Sequence, residues 1–204
     1  MSFDDVNQSG TRGGSWLDSA LDFLSPQPAL PPSPAPPEPP AASTPGTPQN
    51  DLIQAQDRVR SNEAYKPEFN PDGSLRESYC NIATLDTVKA MNGPLDGLKY
   101  SPDGNYKVAN DAATALATSK NWNQVSPLEA QDLANQGTVV VGVQRKPDGH
   151  GHMVTVRPEI MPGVAEMNGE APIVNNVGAK VDVVPADQAF DSSKPVRYYA
   201  PAKR

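Results

Sequence analysis

Residues 138–158 read TVVVGVQRKPDGHGHMVTVRP. Two runs with an apolar period of two, TVVVGVQRK and HMVTVRP, flank the polar, glycine-containing stretch PDGHG. Such alternation marks a strand, and a short spacer with glycine turns one strand back on the next. The stretch therefore predicts an antiparallel hairpin. It also holds both histidines of the chain, His150 in the turn and His152 at the mouth of the second strand.

Upstream the period changes. DLIQAQDRVRSNEAY, from residue 51, predicts a helix, and KPEFNPDGS a loop. Residues 80–91 follow a helical period, with Ile82, Ala83, Leu85, Val88 and Met91 as the inner face, and NGPLDG ends the helix in turn residues. VANDAATALATSKNW predicts a second helix carrying Ala112, Ala115, Leu116 and Trp122. SPLEAQDLANQG predicts a third, with Ser126 as N-cap, Pro127 at its first position, Glu129 at N3 and Gly137 as its stop. Downstream, APIVNNVGAKVDVV gives one or two strands and VRYYAP the last. Helices followed by an antiparallel sheet define an α+β fold for residues 51–204. About 150 residues suffice for one core.

The first 50 residues differ in kind. Residues 1–14 read as disordered. Within SWLDSALDFL (15–24), Trp16, Leu17, Ala20, Leu21 and Leu24 fall at helical spacing, although an isolated helix so short is marginal in water. It is expected to fold only against the main domain, a partner or a membrane surface, as a docking helix or a groove ligand. Residues 25–50 hold eleven of the 23 prolines. Proline removes donors and fixes φ, so this segment reads as an extended tether.

The formal net charge is −7, which argues against nucleic acid as the main partner, since phosphate binding needs clustered Lys and Arg. No run is long enough to span a membrane, and the N-terminus reads as lacking a Sec signal peptide. One cysteine, Cys80, excludes an internal disulfide framework. Such a thiol is more often buried and inert than reactive. A metal site built from His150, His152 and Cys80 falls short of the four ligands of structural zinc. No glycine-rich phosphate loop follows a strand, so neither metal nor cofactor is expected.

Cys80 sits at the start of its helix, where free N–H groups and the helix dipole favour an anion. That location is expected to lower the thiol pKa, and the same N–H groups can hold an oxyanion. His152 could then act as the base, with a third polar residue, Asn175 or Asn176, fixing its tautomer. One step along a strand reverses the facing, so the sequence leaves both open.

These pieces, in this order, resemble the NlpC/P60 and CHAP group of papain-like cysteine amidases and peptidases. The resemblance covers roughly residues 75–200. It rests on YCNIATLDTV, on ANDAATALATSKNW and SPLEAQDLANQGTVVVGVQ, on GHGHMVTVRP and on APIVNNVG. Gly151-His152-Met153-Val154-Thr155-Val156 fits the family's histidine pattern, with Val154 bulkier than the usual small residue. Tyr-Cys-Asn stands where the standard motif has Asp-Cys-Ser-Gly, and Val177 where the family has Ala.

The resemblance implies a papain-like domain that cleaves amide bonds in peptidoglycan peptide stems through a thioester. Cys80 would be the nucleophile, His152 the base and then the acid, and Asn176 the third member, with Asn175 as the other candidate. Tyr79, Asn81 and His150 are the candidates for oxyanion or substrate contact, although a plain turn role is the simpler reading of His150. Export by a dedicated secretion system, or carriage by phage, would bring such a domain to the cell wall. Residues 1–50 would then dock on a secretion or phage structural protein, and an effector would have an immunity protein as inhibitor. A binding module on the same scaffold, or a deamidase or transacylase of protein side chains, are the alternatives.

Overall fold

The computed structural model describes residues 46–100, 104–147, 149, 151–159, 163 and 171–203. The helix expected at 15–24, nearly all of the tether and His150 lie outside these residues.

The fold is α+β. Helix α1 spans Pro48–Arg60 and α2 Cys80–Ala90, with a small hairpin of β1 (Glu68–Phe69) and β2 (Leu75–Glu77) between them. Then come α3 (Ala109–Thr118), β3 (Trp122–Val125) and α4 (Pro127–Asn135). Strands β4 (Val141–Gln144), β5 (His152–Val156), β6 (Ile173–Val177) and β7 (Val181–Pro185) follow. A short helix α5 (Ala186–Ala189) precedes β8 (Val196–Pro201). Six strands form one antiparallel sheet in the order β3-β8-β4-β5-β6-β7.

The expected β4–β5 hairpin is present, with Gln144 opposite His152. Four expectations need correction. Helix α1 starts at Pro48, inside the proline-rich stretch, because Thr47 caps it by accepting from the Asn50 N–H at 3.2 Å and proline suits a first turn. Trp122 does not extend α3. Ser119 ends that helix and Trp122 opens β3, pairing with Pro201 and donating its indole N–H to the Asp96 carbonyl. The loop KPEFNPDGS holds β1 and a turn that leads into β2. In α3 the inner face is Ala109, Ala112, Ala113 and Leu116 rather than Ala115.

The core lies between the helices and the sheet. Leu52, Val88, Leu116, Val140, Val141, Met153 and Val156 are almost wholly buried, each contributing about 1.5–3 kcal/mol by removal from water. Two buried glutamines tie the central strands together. Gln56 of α1 donates to Thr155 Oγ1 at 3.0 Å and to the Val156 carbonyl at 2.8 Å, and its own backbone carbonyl accepts from Asn175 Nδ2 at 3.4 Å. Gln131 of α4 donates to the Arg157 carbonyl at 2.9 Å and accepts from the Ile173 N–H at 2.8 Å. Gln131 thus bridges the ends of β5 and β6 through its side chain, and Gln56 bridges the two strands through its side chain and its backbone carbonyl together, which fixes their register. Gly137 ends α4 with φ +85°, and a Cβ there would lie 2.3 Å from the Pro48 backbone, so only glycine lets α1 start where it does.

Arg157, with a side chain 9% exposed, meets Asp57 of α1. Its Nη2 donates to Oδ2 at 3.2 Å, while Nη1 lies 2.9 Å from Oδ1 off the hydrogen-bonding axis and interacts there by charge. Burial pushes the Asp57 carboxyl pKa up, but hydrogen bonds from Arg157 and Arg60 outweigh it and leave the group below the usual carboxylate range. A depressed folded pKa contributes stability that is complete above the unfolded value of about 4 and is lost as pH falls through the folded one. Asp57→Asn should therefore lower stability at pH 7 by about 1 kcal/mol, a modest figure because the carboxylate is half exposed. Urea unfolding at pH 7 and pH 3 checks this: the gap to wild type should close at the lower pH.

Candidate active site

Strand β5 begins with His152, and the paired register Thr155↔Asn175 on β6 brings Asn176 within reach of it. His152 Nε2 and Asn176 Oδ1 are 2.8 Å apart. Asn176 Nδ2 donates to the Lys180 carbonyl at 3.1 Å, so the amide is oriented with its oxygen toward the ring. An oxygen acceptor requires Nε2 to carry the proton, which leaves the lone pair on Nδ1. Among the described residues Nδ1 has no hydrogen-bond partner. Asn175 is not part of this pairing: one residue along β6, it faces α1 and donates to Gln56.

One glycine makes room for the ring and another for the hairpin neck beside it. A Cβ on Gly178 would fall 2.6 Å from His152 Cε1. One on Gly151 would fall 2.6 Å from both Asn110 Oδ1 and the Gln144 carbonyl. Phe190 supports the opposite edge of the imidazole, with ring centroids 5.3 Å apart at 64°. The Phe190 loop is held by Gln144, which donates to the carbonyls of Asp191 at 2.8 Å and Lys194 at 3.0 Å and accepts from the Asp191 N–H at 3.1 Å.

Cys80 is the first residue of α2, and its N-cap, Tyr79, supplies no side-chain cap. The first-turn N–H groups are thus left for other partners. The backbone N–H groups of Met153, the residue after His152, of Asn81 and of Cys80 itself lie near the sulfur and favour its thiolate electrostatically. No hydrogen bond joins the sulfur to His152 among the described residues. The residue is 6% exposed. Beside it Ala83, Thr84, Thr155 and Asn175 enclose a space too small for a water molecule.

Here the expected pKa direction is corrected. Burial pushes the Cys80 thiol up, and the three N–H groups and Lys146 only partly offset it. Burial also pushes the His152 imidazole down, against the Asn176 hydrogen bond that favours its charged form. At neutral pH the resting pair is therefore thiol and neutral imidazole, because desolvation disfavours both ions. The helix start alone does not decide the protonation state.

His152 and Asn176 line an open cleft of about 760 Å³, together with Leu75 and Ser78 from the β2 side and Lys146 and Lys180. Tyr79 and Asn81 are not drawn into it by their side chains: the Tyr79 hydroxyl donates to Glu68 at 3.0 Å and the Asn81 amide to the Lys107 carbonyl at 3.2 Å. Among the described residues no group of three or more His, Cys, Asp or Glu gathers as a metal site, and no helix is long and apolar enough to cross a membrane. Sequence reading missed Asn110, Gln144, Lys146, Gly178 and Phe190. Only Gln144 left a sign, as the polar end of an otherwise apolar run. No family model matches the chain, and neither does any curated protein.

Two outcomes follow from this geometry. Gly178→Ala should drive the ring off Asn176, abolishing the slowly exchanging His152 Nε2–H signal in proton NMR while unfolding stays within about 2 kcal/mol of wild type. Alkylation of Cys80 followed against pH should rise with a midpoint above the free-thiol value of about 8.5.

Proposed function

We propose that residues 48–203 form a cysteine hydrolase of amide bonds on a papain-like plan, acting on the peptide stems of peptidoglycan. The observation that carries this reading is the His152–Asn176 pair: its tautomer is set, and Nδ1 is left open one residue before Met153, which lines the same small space as Cys80.

The chemistry then follows from the neutral resting pair. His152 Nδ1 takes the thiol proton as the sulfur attacks the amide carbon. The Asn81 and Cys80 N–H groups, uncapped by Tyr79, are available to the oxyanion that forms. The imidazolium, steadied by Asn176, returns the proton to the leaving amine. Water then hydrolyses the thioester with His152 again as base. Since burial disfavours the thiolate, proton transfer accompanies attack instead of preceding it. Placement at the cell wall, docking through residues 1–50 and a cognate immunity protein belong to the same proposal.

The buried thiol favours a second reading, a binding module that keeps the scaffold without turnover. Assay of free amines released from purified peptidoglycan separates the two. The hydrolase reading expects release by wild type, none by Cys80→Ala, and a turnover about 10²-fold lower in Asn176→Ala through misplacement of the ring. Absence of release by folded wild-type protein would leave the binding module, and release of ammonia would point to deamidation.

A further inference from the structure

The ionisable side chains lining the cleft are Arg76, Glu77, Lys146, His152, Lys180 and Asp191. Two of these charges are already answered. Arg76 is ion-paired with Glu68. Asp191 accepts from Lys194 Nζ at 2.8 Å and from Ser193 Oγ at 2.6 Å. Lys146 and Lys180 have no ion-pair partner among the described residues. Among the described residues Glu77 is the one remaining anion of the lining. The described residues of the lining therefore carry an excess of positive charge in a chain whose formal net charge is −7.

Lys146 is also held in place. Asn110 of α3 grips its peptide from both sides: Nδ2 donates to the Lys146 carbonyl at 2.7 Å, and Oδ1 accepts from the Lys146 N–H at 3.0 Å. The same Oδ1 lies 2.6 Å from where a Cβ on Gly151 would be. One asparagine thus sets both sides of the hairpin neck, and His152 follows directly. The Lys146 charge reaches both members of the candidate pair, lowering the pKa of Cys80 and of His152. Fixing the backbone of an ammonium-bearing residue at the mouth of a partly desolvated cleft reduces the ordering cost of binding an anion there.

We infer that Lys146 anchors a carboxylate-binding subsite beside His152, with Lys180 as its second cation, so that the cleft takes acyl groups bearing a free carboxylate near the bond attacked. The position relative to that bond rests on the hydrolase reading; the anion site does not. A lysine suits the role because its compact point charge tolerates several carboxylate geometries.

The test uses full-length protein labelled with ¹⁵N-histidine, glutarate as the anionic probe and glutaramide as its neutral counterpart. His152 is one of only two histidines, so its ring signals can be followed directly. Glutarate should shift them saturably and glutaramide should not. Lys146→Met should weaken the apparent Kd for glutarate at least tenfold, while Arg145→Met, an exposed neighbour outside the cleft lining, should leave it unchanged. A silent glutarate titration, an equal response to glutaramide, or an unchanged Kd in Lys146→Met would overturn the subsite. Binding is read without turnover, so the two readings fail separately. Lys146-dependent binding without amine release removes the hydrolase alone; amine release with Lys146-independent binding removes the subsite alone.

Discussion

The register of β5 against β6 is the constraint on which the rest of the site depends. With Thr155 opposite Asn175, the residue that reaches His152 is Asn176. A slip of one residue would present Asn175 or Val177 to the ring and would break the Asn176–Lys180 bond that aims the amide oxygen at Nε2. Two strands joined by backbone bonds alone can slide. Here Gln56 and Gln131 prevent it, because each satisfies buried polar groups on both strands. A slip would orphan those groups, at about 1–3 kcal/mol each. Two helices far from the cleft thus decide which side chain faces the imidazole.

The elements with strong periodicity were legible in the sequence. The hairpin across residues 141–156, the helix beginning at Cys80, and the cap and stop of α4 at Ser126 and Gly137 all lie where propensity and pattern put them. Trp122 was not legible, since one large apolar residue after a helical run fits either a helix face or a strand start. Its indole bond to Asp96 and its pairing with Pro201 are tertiary facts. The β1–β2 hairpin is too short to carry a period.

For the site, legibility divides in the same way. Candidates came from residue type and position, but their mutual geometry came from contacts distant in the chain. Asn175 and Asn176 are equivalent in sequence and are separated only by the pleat. The protonation state was the least accessible feature. A helix N-terminus argues for a thiolate, yet the enclosure of Cys80 by α2 and the sheet reverses the balance, and enclosure is a property of packing. The domain edge likewise escaped composition, since Thr47 and Pro48 belong by content to the tether and by hydrogen bonding to α1.

The enclosed thiol also bears on durability. Peroxides and disulfides react with thiolate rather than thiol, and they must reach the sulfur to do so. A cysteine that rests protonated, 6% exposed and without a second cysteine in the chain is a poor target for sulfenylation and has no intramolecular partner for a disulfide. The packing that keeps Cys80 from being a ready nucleophile thereby preserves its sulfur in oxidising surroundings.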